Sequence, residues 1–423
     1  MNYPDSVHFL YALGNEIKTA KFGLERIGRV LDALDNPQRR GSFVHVAGTN
    51  GKGSTCAMIE SGLRAAGRRT GLYTSPHLYE PTERIRIGGV PVSAGRFAAA
   101  FDRVHRVVED LIARGVIDLL TTYFETVTAM AFLIFAEEQV DDVVLEVGLG
   151  GRLDATNVVT PRLAVITPVD FDHEKFLGTS IAAMAAEKAG ILKPGVPAVF
   201  ARQRSEARTV LDARAEELGI AVTRTGDWRV TGLELSPRQS RFHLFGQRHM
   251  DLTCPLAGEH QVENAVTAAV ALAQLGMPTN AIETGIAAVA WPGRLEQVAT
   301  APEIVLDGAH NPAGARALAA YLERFYARRR IALIFGVMRD KSVEELAATL
   351  FPLAHDVIVT APAQARALAP ASVLPLVDHP RIRVEPDLAH ALAAARSTQP
   401  DAIFVTGSLF LVAEARAMIG AKA

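Results

Sequence analysis

Cysteine is almost absent from this chain: Cys56 and Cys254 are the only two, far apart and in no metal-type spacing. That excludes a disulfide framework and a cysteine zinc site, and it fits a reducing cytoplasm. Long apolar runs are lacking too, and none reaches the length needed to span a bilayer. The opening MNYPDSVHFLYALGNEIKTAKFG has no basic start, apolar centre or cleavage site, so no signal peptide is expected. The expectation is a cytoplasmic protein with no membrane partner. Charge of one sign is also missing. The 44 Lys and Arg face 46 Asp and Glu, a formal net charge of -2, which leaves no nucleic-acid footprint. Aromatic residues make up only 6% and apolar ones 49%, the balance of a soluble globular protein. There is no internal repeat and no low-complexity segment. With 423 residues two or three domains are expected, since one core seldom grows past roughly 250–300 residues.

What is present is alternation. The strand-like runs FVHVAG (43–48), RTGLYTS (69–75), DVVLEVG (142–148), LAVITPV (163–169) and PAVFA (197–201) are separated by helical patterns. In STCAMIESGLRAAG, Met58, Ile59, Gly62, Leu63 and Ala66 share one face, and Glu60 and Arg64 fall outside it. Strand–helix alternation predicts a parallel sheet with helices on both faces. The segment 223–256 alternates in short runs, as a small antiparallel appendage would. GEHQVENAVTAAVALAQLG reads as a long Ala-rich helix and WPGRLEQV (291–298) as a break. Alternation restarts after it with EIVLDGAHNP, RIALIFGVM, AHDVIVTAP, RIRVEPD and AIFVTGS. The expected division is therefore an N-terminal domain of residues 1–292 and a smaller α/β domain of residues 293–423.

The stretch VHVAGTNGKGS (44–54) is close to a Walker A motif, but Val46 stands where the first Gly belongs and Gly53 separates Lys52 from Ser54. A glycine-rich turn between a buried strand and a helix points N–H groups at an anion over the helix N-terminus. Lys52 would reach β/γ-phosphates, and Ser54 or Thr55 would cap the helix or touch a metal. A tight turn with a solvated Lys is the alternative.

Ligands of open α/β sheets gather at the carboxyl ends of the strands, where Ser75, Glu146 and His173 also fall. Glu146 interrupts an apolar run, and a buried carboxylate is costly unless paired or bound to a cation. Magnesium accepts carboxylates, phosphate oxygens and water, so Ser75 and Glu146 suit it. His173 is a softer ligand that could instead cap a helix, and Glu146 could pair with an Arg. Lys188 lies on the apolar face of TSIAAMAAEKAGILKPG, where burial would lower its pKa. It could equally snorkel past the helix end. Asp307 and His310 follow a strand and face an expected interdomain cleft; a helix-capping Asp307 and a solvated His310 are the alternative.

These motifs together resemble the folylpolyglutamate synthase/dihydrofolate synthase family, within the Mur-type ATP-dependent amide ligases. GTNGKGS is similar to the family's phosphate loop, with Gly after Lys. TSPHLYEPTERI, TYFE, EVGLGGRLDATN, DHEKFLG, EKAGILKPG, GEHQVENA, PGRLE, DGAHNP and TGSLFLV follow in the family's order, from about residue 20 to residue 415. The resemblance implies a P-loop, parallel-sheet, Mur ligase-like N-terminal ATPase domain and a Rossmann-like C-terminal domain. It implies that Asn50, Gly51, Lys52, Gly53, Ser54, Asn264, Arg294 and Asp307 bind ATP, and that Ser75, Glu146 and His173 hold Mg2+. Lys188 would be carbamylated, and Lys52, Lys188, His310 and Arg294 would carry the catalysis. Thr122, Tyr123, Phe124, Glu125, Leu153, Asp154 and Ala155 would meet the pterin, and His310 and Ser408 the glutamate.

The implied reaction joins L-glutamate to dihydropteroate and to the tail of reduced folates through an acyl phosphate, in a monomer whose partners are these small molecules. Arg152-Leu153-Asp154-Ala155 looks like the bifunctional bacterial version. A monofunctional folylpolyglutamate synthase is the alternative, and Asp154 could simply cap the turn before Asn157. A Mur enzyme acting on a nucleotide-linked cell-wall precursor is expected to carry a further N-terminal domain, whereas here the phosphate loop comes by residue 48. A non-catalytic ATP-binding protein would need Lys52 but not Glu146, His173, Lys188, Asp307 and His310 together.

Overall fold

The structure, a computed structural model, describes residues 1–13 and 23–420. Residues 14–22, within the segment read for a signal peptide and at the start of the family-like stretch, lie outside the described residues, as do 421–423.

The first alternating runs form one eight-stranded sheet. Its strands are β1 (Ser42–Ala47), β2 (Thr70–Tyr73), β3 (Ile85–Ile87), β4 (Val90–Pro91), β5 (Asp142–Glu146), β6 (Leu163–Ile166), β7 (Ala198–Phe200) and β8 (Val222–Arg224). They lie in the order β4-β3-β2-β5-β1-β6-β7-β8. All pairings are parallel except those of the β3–β4 hairpin at one edge. From β1 the chain crosses to β2, returns to place β5 beside β1, and then continues to β6 on the other side. The strand order thus reverses around β1, where a crevice opens at the carboxyl ends of the strands. Val46 pairs with Glu146 on one side and Val165 on the other, which sets the phosphate loop beside the ends of β5 and β6.

The appendage is a three-stranded antiparallel sheet of β9 (Arg229–Leu235), β10 (Ser240–Phe245) and β11 (His249–Cys254). The second domain-sized sheet has six strands: β12 (Glu296–Thr300), β13 (Glu303–Leu306), β14 (Ile331–Phe335), β15 (Asp356–Val359), β16 (Ile382–Val384) and β17 (Ala402–Thr406). Their order is β12-β13-β17-β14-β15-β16, antiparallel only at β12. The expected fold class is the one found: an α/β chain with a P-loop parallel sheet followed by a smaller α/β unit.

Two local readings differ. The stretch read as a break, WPGRLEQV, turns into β12 at Glu296, because an edge strand can start directly after a Pro-Gly turn. Glu60, read as lying off the apolar face, is 3% exposed. The helix Lys52–Ala65 is buried continuously from Ser54 to Leu63, packed between the sheet and the helices Glu259–Gln274 and Thr279–Ala287. Glu60 is satisfied there by the Thr70 hydroxyl, which donates to it, and by Arg64 Nε at 3.4 Å. Where the helices meet, Ser61 Oγ donates to the Gly285 carbonyl at 2.7 Å. A Cβ on Gly285 would stand 2.4 Å from Gly62 Cα. Gly285→Ala must push apart the helix that carries the phosphate loop. A destabilisation of about 1–3 kcal/mol is expected, read as a lowered urea midpoint.

Candidate active site

A cavity of about 350 Å3 lies between the two parallel sheets, at the carboxyl ends of both. The loop Gly48–Lys52 forms one wall, and its glycines are demanded by close approach. A Cβ at Gly48 would overlap Thr167 Oγ1 at 1.8 Å. Gly51 has φ of 81° and faces Asn264, whose Oδ1 would lie 2.2 Å from a Cβ there. Gly53, the residue that breaks the Walker spelling, faces the indole of Trp291, with Nε1 3.1 Å from a Cβ position. The loop is strapped to the segment after β6: Thr49 N–H donates to the Pro168 carbonyl at 3.0 Å, and Thr49 Oγ1 to the Asp170 carbonyl at 2.8 Å. Lys52 Nζ donates to the Thr49 carbonyl at 3.1 Å. Neither expected hydroxyl caps the helix. Gln261 Nε2 donates to Ser54 Oγ at 3.3 Å, Asn264 Nδ2 donates to Gln261 Oε1 at 3.0 Å, and the Thr55 hydroxyl is buried without a hydrogen bond.

Glu146, Ser75 and His173 line the same cavity. Glu146 is buried and forms no ion pair among the described residues; its hydrogen bond comes from the Ser75 N–H at 3.0 Å. Burial raises its pKa, while the charges of Lys52 and Arg294 pull it back. An incompletely compensated buried carboxylate is what a hard cation would complete, so the donor set suits Mg2+. His173, in the left-handed region with φ of 51°, precedes the short helix Glu174–Leu177 and makes no side-chain cap.

Lys188 lies in the last turn of the helix Ile181–Ala189, capped by Ser180 Oγ accepting from Ala183 N–H at 3.2 Å. It is 2% exposed, so the snorkelling alternative is not what is found. Burial, and then the neighbouring Lys52 charge, hold its pKa down to about 8.

From the second sheet come Asp307 and His310. The carboxylate of Asp307 accepts from Leu295 N–H and Ala309 N–H, both at 3.0 Å, and Asn311 is the cap of the helix Pro312–Tyr326. The capping alternative for Asp307 therefore does not hold. Burial raises its pKa, opposed by Arg294, whose own pKa is lowered by burial. His310 Nδ1 donates to the Gly308 carbonyl at 2.7 Å, since a carbonyl can only accept. Burial and then Lys341 push its pKa down to about 4, so near neutrality the ring is uncharged and Nε2 carries a lone pair.

The remaining expected residues do not line the cavity. Phe124 packs where a Cβ on Gly148 would be, with Cζ at 2.5 Å. The Asp154 carboxylate accepts from Leu149 N–H at 2.9 Å and Thr156 N–H at 3.0 Å. Thr122 and Glu125 form a capping box, and Glu125 also pairs with Arg26 at 2.6 Å. Tyr123 stacks on Tyr11 under Arg84; Leu153 lies in a turn and Ala155 opens the short 3-10 helix Ala155–Val158. Ser408 caps the helix Leu409–Ile419 through Phe410 N–H.

Sequence reasoning missed the links between the two sheets. Asp172 accepts from Lys341 Nζ at 2.7 Å and from Asn311 Nδ2 at 3.1 Å, and His310 Nε2 lies 3.8 Å away. Asn50 and Asn311 exchange side-chain hydrogen bonds at 2.9 and 3.3 Å. Burial works against the Asp172 charge, but Lys341 and then the histidines win and hold its pKa well below the usual carboxylate range. His260 and Gln261 also line the cavity unforeseen.

Residues 46–272 match the Mur ligase middle domain, and residues 293–409 the glutamate ligase domain of Mur ligases. With the loop and cavity described, these two units define the class, an ATP-dependent ligase. A dihydrofolate synthase/folylpolyglutamate synthase of Mycobacterium tuberculosis is 36% identical over 94% of this chain and 90% of its own length. A folylpolyglutamate synthase of Lacticaseibacillus casei is 36% identical over the full length of both. A Mycobacterium tuberculosis folylpolyglutamate synthase structure with ADP and AMPPCP superposes with a TM-score of 0.93 at 35% identity, covering 99% of each chain. An Escherichia coli structure with DHPP and ADP gives 0.89 at 31% identity, covering 100% of this chain and 98% of that one. The chain belongs to the dihydrofolate synthase/folylpolyglutamate synthase family of Mur ligases.

The Asp172–Lys341 pair is nearly buried, its side chains 11% and 9% exposed. Lys341→Met leaves the Asp172 charge without its cation, and a loss of about 3–5 kcal/mol is expected. In Asp172→Asn/Lys341→Met the losses should be less than additive by about 1–3 kcal/mol. A double-mutant cycle in urea measures that coupling.

Proposed function

We propose that this chain joins L-glutamate both to dihydropteroate and to the glutamate tail of reduced folates, at the expense of ATP. One observation supports this above the others: a phosphate-type loop on one sheet faces Asp307 and His310 on the other across one cavity. A carboxylate is a poor acyl donor. Transfer of the γ-phosphoryl group from ATP to the substrate carboxylate gives an acyl phosphate and ADP. The glutamate amine then attacks the acyl carbon, and phosphate leaves from the tetrahedral intermediate.

Such chemistry depends on positioning and charge neutralisation rather than a covalent enzyme intermediate. The N–H groups of Asn50, Gly51, Gly53 and Ser54 with Lys52 hold the phosphates, Asn264 and Asp307 orient the nucleotide, and Arg294 adds charge from beyond the hinge. Ser75, Glu146 and His173 would hold Mg2+, which when bound would neutralise phosphate charge. The His310 Nε2 lone pair orients the incoming amine, and Ser408 shapes the glutamate end. Tyr123 and Phe124 present rings to the pterin, while Thr122, Glu125, Leu153, Asp154 and Ala155 hold the loop around it. Residues 1–292 and 293–423 act as two domains that close to exclude water from the acyl phosphate. The protein works as a cytoplasmic monomer.

Phosphate release with ATP, Mg2+ and L-glutamate tests this reading, with dihydropteroate and tetrahydrofolate as separate acceptors. Release is expected with both. Release with tetrahydrofolate alone would favour the tail-extending enzyme, and release with neither would overturn the proposal.

The depressed pKa of Lys188 supports carbamylation, because only the neutral amine adds CO2. In 13C-bicarbonate a carbamate signal should grow as pH rises through about 8. It should be absent from Lys188→Ala, which should also lose turnover while still binding ATP. A wild-type protein without the signal would remove the assignment.

A further inference from the structure

Outside the cleft, one group of side chains converges with no role in the ligase chemistry. In the antiparallel pairing of β10 with β11, His243 stands opposite Asp251 and Phe245 opposite His249. His249 and Asp251 are two residues apart on one strand and so share a face. The Asp251 N–H donates outward to Glu283 Oε1 at 2.8 Å. His243 and Asp251 are thus a pair not joined by ladder bonds, the kind in which facing side chains come closest. Asp251 Oδ1 lies 2.6 Å from His243 Nδ1 and 3.1 Å from His249 Nε2.

One nitrogen from each imidazole and one carboxylate oxygen lie within 4.8 Å of one another, the only group of three His, Cys, Asp or Glu this close among the described residues. The rings are also held in place. Phe245 stacks on His249 with centroids 4.4 Å apart and planes at 11°. Gly232 on β9 leaves room for His243, whose Cδ2 would be 2.8 Å from a Cβ there. All three side chains are open to solvent, at 53%, 50% and 65% exposure.

We propose that His243, His249 and Asp251 form a surface site for one divalent transition-metal ion of the Zn2+, Ni2+ or Cu2+ class. Two imidazoles and one carboxylate suit these borderline-soft ions and leave a coordination position for water. Mg2+, which prefers all-oxygen surroundings, is excluded from it by the same chemistry. The ion takes the place of the hydrogen bonds that Asp251 now makes to both rings. It cross-links β10 to the edge strand β11 and so stabilises the appendage by mass action.

The experiment uses untagged full-length protein in excess Mg2+, titrated with ZnCl2 by calorimetry and followed in parallel by thermal melting. Wild type should bind one Zn2+ that His243→Ala/His249→Ala does not bind. Asp251→Asn should bind it at least about 10-fold more weakly. Zn2+ should raise the melting temperature of wild type and leave that of the double variant unchanged. All these positions are exposed, so the variants should fold and retain turnover. Equal Zn2+ stoichiometry and affinity in wild type and the double variant would overturn the site, as would no Zn2+ binding by wild type. Neither result bears on the ligase reaction, which is measured separately.

Discussion

Charge taken out of water at the junction of two sheets is the constraint on which the rest of this molecule depends. Lys52, Lys188 and Arg294 converge with Glu146, Asp172 and Asp307 on one cavity, and not all of them find partners. Asp172 is fully served by Lys341 and Asn311. Glu146 is served by one backbone N–H, and Lys188 by no hydrogen bond or ion pair among the described residues. Groups left in that condition are costly to a fold. They make sense where polyanionic substrates and a cation complete the balance.

The fold serves this constraint through topology. The reversal of strand order around β1 puts a loop of backbone donors, a carboxylate and a lysine within one crevice without any of them being neighbours in sequence. From the second sheet, Asp307 and His310 arrive past the carboxyl end of β13. Close packing holds the loop and the helix it leads into, where Gly51 meets Asn264, Gly53 meets Trp291 and Gly62 meets Gly285. That packing holds the loop that presents the backbone donors, and polar links across the cleft tie this side to the second sheet.

Much of the site was legible before any coordinate. Glu146 stood out because a carboxylate interrupts a buried strand, and the glycine-rich turn because a strand leads into it and a helix out. Asp307 and His310 were legible as titratable groups at a strand end. Other features were not. Lys341 and Asp172 are 169 residues apart, and Asn50 and Asn311 are 261 apart; no local pattern announces contacts made by docking one sheet against another. Glu60 misled because an amphipathic pattern assumes one wet face, and its helix has none between Ser54 and Leu63. Asp154 could be read as a pterin contact or as a turn cap, and only the structure shows its oxygens accepting from the turn it sits in.

The sequence by itself determined the alternation that makes two parallel sheets, the position of the phosphate loop and the family. Hydrophobic period, glycine spacing and motif order are local properties, and they survive without knowledge of packing. Only the tertiary structure decided which charges meet. It buried Lys188 instead of letting it snorkel, turned His310 into a neutral ring with a free lone pair, and brought His243, His249 and Asp251 together across two strands. Electrostatic energy depends on distance and on exclusion of water, and neither is set until distant segments pack.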